Sequence, residues 1–402
     1  MRYLLLAAKV LAAIWGLLII AYIGGVTLIL AQPDAAGESW PSDFAVFWEA
    51  ARFVLAGEAA RAFDLEALRA PLFLNKAAPE GWMPHWFYPP TWALLLAPLG
   101  ALPFGAAFAV FTGMSLALFY LALRPASGPV PGGLVLVLAS PSLFSAVFIG
   151  NTSVLLAGAL AAVLWAVREE RPVRAGLACA LFAIKPQLAV LLPVFLAVRG
   201  RWRAFAVAAA ASTAFTVLAV AVIGWEYTEA FFGSLGHWQE ERQALQTEGG
   251  GTPNLRRDLI TIYGFMHYWG VDHRIALPVS LVLIACVVGA VGYVAARTRS
   301  FDALAAVIAI AVPMAAARAL FYETAFLLVA FVWLWRAGAA SRMDGRIALF
   351  VCWFGLPRAL NYFGVDVAAI WAPINLALLA WACWFALKVA PRDDVEPART
   401  AQ

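Results

Sequence analysis

The chain has 402 residues, 64% of them hydrophobic and only 13% charged, with a formal net charge of +4. Soluble domains carry about a quarter charged residues, so a soluble globular fold is excluded. The small net charge also offers no basis for a nucleic-acid partner. The fold class these figures predict is all-α, a polytopic transmembrane helical bundle.

In chain order, residues 4–30 (LLLAAKVLAAIWGLLIIAYIGGVTLIL) form the first run. It exceeds the length of about 20 apolar residues that spans a bilayer. No A-x-A-type cleavage site precedes the next loop, and the run is too long for a signal-peptide core, so a retained helix is expected. The loop 31–88 is rich in Trp, Phe and Pro and holds two amphipathic stretches, 43–56 and 63–75. In the first, Phe44, Phe47, Ala51 and Leu55 recur at helical spacing. Helices lying in the headgroup region have this pattern.

Between Pro89 and Gly150 there are three apolar stretches, 91–102, 104–123 and 131–149, the first two split by Leu102-Pro103. The arginines of 168–174 and 199–203 then flank only one helix's worth of residues, interrupted by Lys185-Pro186. Proline disfavours helix at the residue before it and removes a donor, so a broken or re-entrant segment is predicted at both places. Broken backbone at membrane depth is tolerated where it is buried in protein or lines a wet cavity. Further crossings are expected over 204–224, 277–296, 302–317, 324–335, 347–363 and 370–388. The loop 225–276 is the most polar segment, with a glycine triplet suited to a mobile loop, and 391–402 reads as a disordered tail. Residues 1–390 are thus read as a single integral membrane domain.

Basic residues cluster in 168–174, 199–203, 297–299, 336–346 and 388–392. The positive-inside rule makes these cytoplasmic, along with both termini. The loops 31–88 and 225–276 then face outward. Cys179, Cys286, Cys352 and Cys383 lie in apolar runs without a C-x-x-C pair, so neither a disulfide framework nor a zinc site is suggested. The histidines show no metal spacing, and no cofactor motif is present.

Charges on the outward side are not explained by that rule and are costly near a bilayer. They are Asp43, Glu49, Arg52, His85, Lys185, Arg256, Arg257, Asp258, Arg318, Glu323, Arg358 and Asp366. Acids and several cations beside an apolar phase suit an anionic head group on a lipid tail. For Asp43 two readings stand, a helix-start acid favoured by the helix dipole or a general base. Glu49 and Arg52 are expected as an i,i+3 surface ion pair. Lys185 is either a snorkelling lysine or a cation facing phosphate. Arg318 and Glu323 interrupt an apolar helix pair, as a structural ion pair or as part of a site. Arg256 and Arg257 are either loop charges or phosphate contacts, and His85 in PHWFYPP fits an interfacial aromatic belt.

The ordered set SDFAVFWEAARFVLAGEAARAFD, FYPPTWALLLAPLGALPF and GNTSVLLAGALAAVLWAVREERPVRAGLACALFAIKPQLAVLLPVFLAVRGRWRA resembles glycosyltransferase family 87, and ARALFYETAFLL extends the likeness. That family comprises polyprenyl-phosphate-mannose-dependent mannosyltransferase-like membrane enzymes of the GT-C class. The resemblance implies a GT-C bundle with an acid in its first outer loop, which falls on Asp43. It places the Tyr-Pro-Pro element on Tyr88, Pro89 and Pro90 and the Lys-Pro element on Lys185 and Pro186. Gly150-Asn151 stands where members often have Gly-Gln, and Tyr322-Glu323 where they often have Tyr-Asp. It further implies inverting transfer of a hexose, mannose above all, from a polyprenyl-phosphate sugar to a glycolipid or glycan acceptor. No cofactor is required. Asp43 is then the base, with Lys185, Arg256, Arg318, Tyr88, His85, Asn151, Tyr322 and Glu323 around donor and phosphate. The expected location is a bacterial inner membrane with the site facing the periplasm. A transporter or flippase, or an inactive relative in envelope-glycan assembly, are the rival readings.

Overall fold

A computed structural model describes residues 2–30, 43–64, 66–68, 86–235, 259–355 and 367–390. The tail 391–402, most of the stretch 63–75, and His85, Arg256, Arg257, Asp258, Arg358 and Asp366 lie outside the described residues. Regular structure among the described residues is helical, with one isolated antiparallel bridge between Leu259 and Leu320. Helices satisfy every backbone polar group internally, which a lipid environment demands. Among the described residues, four are long and apolar enough to cross a membrane: Phe104–Ala126, Trp202–Ile223, His273–Arg297 and Ala369–Lys388. Shorter apolar helices, including Ser153–Arg168 and Phe301–Ala311, complete the bundle.

The bundle has two chemically distinct ends. At one, Asp302 is clamped between Arg168 (Nε to Oδ1, 3.0 Å) and Arg336 (Nε to Oδ2, 3.2 Å). Arg336 also donates to the Ala126 carbonyl at 3.2 Å, and both guanidiniums lie over the Trp165 ring at 5.6 Å. Arg199 reaches the Ala295 carbonyl, and the Thr298 hydroxyl the Ala386 carbonyl, at the same end. The Ser153–Arg168 and Ala325–Arg336 helices both finish here. The 16-residue first of these carries the chain about 24 Å, at 1.5 Å per residue, to the opposite end. Asn151 and Glu323 lie at that opposite end.

The Lys185-Pro186 break is present as expected. Pro172–Ala180 continues as a 3₁₀ turn, Leu181–Ile184, and Lys185 then leaves helical geometry (φ −149°, ψ 69°). A second 3₁₀ turn, Pro186–Leu188, leads into Leu191–Val198, which returns to the arginine end. The two arms form a hairpin whose tip is Lys185. The region 89–150 also resolves. Pro90–Leu96 and the 3₁₀ turn Ala97–Ala101 pack on Asp43–Leu55 and stop at Leu102-Pro103. Phe104–Leu123 then runs to the arginine end. The third stretch is two short helices rather than one, Val135–Leu138 and Pro141–Ile149, because Ser140 caps a new start with Pro141 at its first position.

The Asp43–Leu55 helix differs from its expectation. Phe44, Phe47 and Ala51 are buried, but against protein rather than lipid, and Leu55 is exposed. Glu49 and Arg52 do pair, at 3.0 Å, yet Glu49 is buried while Arg52 is half exposed. The pair is not a surface one, because the acid lies on a face of the helix that the rest of the chain buries. Burial raises the Glu49 carboxyl above its ordinary pKa, with Arg52 opposing. Close approach elsewhere depends on Gly158, where a Cβ would lie 2.8 Å from the Phe119 backbone nitrogen.

Candidate functional site

Asp43 opens its helix, and the next residue fixes where it points. Phe44 is fully buried, with its ring 5.0 Å from Phe108 and 5.2 Å from Phe111. Across from it, Pro141–Ile149 ends at Gly150 in the left-handed region (φ +71°). A side chain there would be strained, and a Cβ would meet Phe44 and Phe108 at 2.6 Å. This turn brings Asn151 against Asp43, whose Oδ2 accepts from Asn151 Nδ2 at 2.5 Å. The amide cannot face the other way without loss. Its Oδ1 already accepts from the Ser153 hydroxyl (2.8 Å), the Ser153 backbone N–H (3.1 Å) and the Thr152 hydroxyl (3.2 Å).

Tyr322 is also hydrogen-bonded to Asp43 through its side chain. The adjacent Glu323 is fully buried and forms an ion pair with Lys185, the hairpin tip. Its second oxygen accepts from the Leu320 backbone N–H at 2.5 Å. Lys185 Nζ also lies 5.3 Å over the Tyr322 ring. Tyr88 joins through a side-chain hydrogen bond with Thr152, and it interacts electrostatically with Lys185, Asp43 and Glu323. Its carbonyl accepts from the Tyr227 hydroxyl at 2.9 Å, which in turn accepts from Trp86 Nε1 at 2.7 Å.

The structure therefore brings Asp43, Tyr88, Asn151, Lys185, Tyr322 and Glu323 into one cluster from five chain segments. Arg318 belongs to a neighbouring group instead. It hydrogen-bonds Tyr263 and lies 5.7 Å over that ring, which stacks on His267 and contacts His273 Nδ1 at 2.9 Å. The possible Arg318–Glu323 pair does not form, because Glu323 turns to Lys185. The groups are linked through the backbone, where Ile260 N–H donates to the Ala319 carbonyl at 2.9 Å. His85 and Arg256 fall outside the described residues. Sequence reasoning passed over Thr152 and Ser153, although three polar residues between a glycine and an apolar helix were a visible signal. Among the described residues no three metal-ligating side chains converge.

Chemically, the cluster offers a half-buried carboxylate oriented by two donors and, beside it, an ammonium neutralised by a second carboxylate. The first arrangement can take a proton from a hydroxyl at a fixed position. The second can exchange its carboxylate partner for another anion.

The sequence model of glycosyltransferase family 87 matches residues 86–316, more than half of the chain. Asp43, Tyr322 and Glu323 lie outside that span. No curated protein and no solved structure gives a significant match.

Proposed function

Because the chain belongs to glycosyltransferase family 87, we propose that it moves a hexose, mannose foremost, from a polyprenyl-phosphate sugar to an acceptor hydroxyl. The observation that carries this reading is the Asp43 carboxylate held by Asn151 and Tyr322 next to the buried Lys185–Glu323 pair. Asp43 takes the acceptor's proton as general base. The resulting oxygen attacks the anomeric carbon from the face opposite the lipid phosphate, and the sugar–phosphate bond breaks with inversion. Lys185 supplies a charge-assisted contact to the departing phosphate, in place of part of its contact with Glu323. Asn151 and Tyr322 act on Asp43 itself, so they position the base.

The two ends of the bundle support a reading of its sidedness. With the arginine end taken as the cytoplasmic face by the positive-inside rule, the Asp43 cluster lies toward the outer face, on this reading the periplasmic side of a bacterial inner membrane. The acceptor is then a membrane glycolipid or glycan on that side.

The test is incubation of membranes containing the protein with radiolabelled polyprenyl-phosphate mannose, and separately with the glucose analogue. Labelled glycolipid or glycan that depends on the protein is the expected result. Absence of product with both donors, from protein shown to be folded and inserted, sinks the proposal.

A further inference from the structure

A groove of about 250 Å³ lies at the arginine end, remote from the Asp43 cluster. Leu121, Ala162 and Trp165 line its apolar side, and the exposed Glu169, Arg171 and Arg174 form its charged rim. Leu121 is 62% exposed, so the apolar wall is open to the surroundings. The rim is about one hydrocarbon thickness from the Asp43 cluster, since the Ser153–Arg168 helix between them spans about 24 Å and a bilayer core about 30 Å. Tryptophan and arginine at such a level belong to the headgroup region.

The charges of the rim decide what fits. Arg168 is committed to Asp302, and Glu170 to Arg201. Arg171 and Arg174 are exposed, and no ion pair among the described residues engages them. Two guanidiniums match a phosphate diester, with directed charge-assisted hydrogen bonds. Glu169 on the same rim opposes a purely anionic headgroup but accepts hydrogen bonds from an ammonium group. The rim is therefore complementary to a headgroup bearing a phosphate and a primary ammonium together.

We propose that this groove is a phosphatidylethanolamine site. Arg171 and Arg174 hold the phosphate, Glu169 takes the ammonium, and one acyl chain lies along Leu121 and Ala162. The proposal is independent of the transfer reaction.

The test titrates the delipidated full-length protein with phosphatidylethanolamine, phosphatidylcholine and phosphatidylglycerol, with bound lipid counted by native mass spectrometry. The wild type is expected to retain phosphatidylethanolamine over the other two. Arg171→Gln/Arg174→Gln is expected to lower that retention about tenfold, the equivalent of about 1.4 kcal/mol. Glu169→Gln is expected to abolish only the preference over phosphatidylcholine. Equal retention of all three lipids, preference for phosphatidylglycerol, or no change in the arginine variant would each overturn the proposal. Size-exclusion profiles identify any variant that fails to fold, and the single Arg171→Gln and Arg174→Gln variants then take its place.

Discussion

Asp43→Asn is expected to lower sugar transfer by about 10²–10⁴-fold, the range of a lost general base, with insertion and yield unchanged. The substitution preserves shape, and the new amide's oxygen can still accept from Asn151. What it removes is the proton acceptor. Asn151→Ala makes a separate point, because it keeps the carboxylate and removes a donor that orients it. Its cost should be smaller, and it should appear in kcat with donor KM unchanged. Near-normal turnover by Asp43→Asn would remove that residue from the chemistry. A raised KM in Asn151→Ala would mean that the amide contacts substrate.

Lys185→Ala should affect stability as well as transfer. Glu323 is fully buried and its partner sits at the hairpin tip, so removing the lysine leaves a buried charge uncompensated. Breaking one side of a buried pair costs about 3–5 kcal/mol. The thermal midpoint of the detergent-purified protein should fall clearly. Lys185→Met/Glu323→Gln removes both charges and should recover most of that midpoint without recovering transfer. This pattern distinguishes a lysine that acts on substrate from one that only holds the fold. Full activity in the stable double variant would make the pair structural, and an unchanged midpoint in Lys185→Ala would contradict the buried pairing itself.

The features legible in the sequence were those written in local backbone chemistry. Apolar run lengths gave the helices, Lys185-Pro186 gave the hairpin tip, and Asp43 beside Phe44 and Phe47 marked a helix start with one apolar face. What that face touches was not local. The burial of Glu49 is decided by packing between separate segments, so an i,i+3 pair at ordinary spacing looked like a surface feature. Pairing across long separations was equally hidden. The sequence suggested only Arg318 as a cationic partner for Glu323, but Arg318 turns to the Tyr263 ring and the distant Lys185 takes the acid. The convergence of Arg168 and Arg336 on Asp302 joins residues 134 and 34 positions away in the chain, which no local pattern marks. The turn at Gly150 was visible as a residue, but not as the device that aims Asn151 at Asp43.

The pairing of Lys185 with Glu323 has a consequence for electroneutrality. Among the described residues, the cluster sets two carboxyl groups, Asp43 and Glu323, beside one ammonium, Lys185. The phosphodiester of the proposed donor would add a negative charge in a region where low dielectric makes each imbalance expensive. On the proposed function, donor entry at this cluster would be favoured by a compensating positive charge. If a proton is the compensating charge, affinity for a polyprenyl phosphate rises as pH falls, which equilibrium binding across a pH series would measure; a flat profile assigns the compensation to another cation. Under that proposal, loading the lipid and adjusting the charge state of the cluster would be a single thermodynamic event.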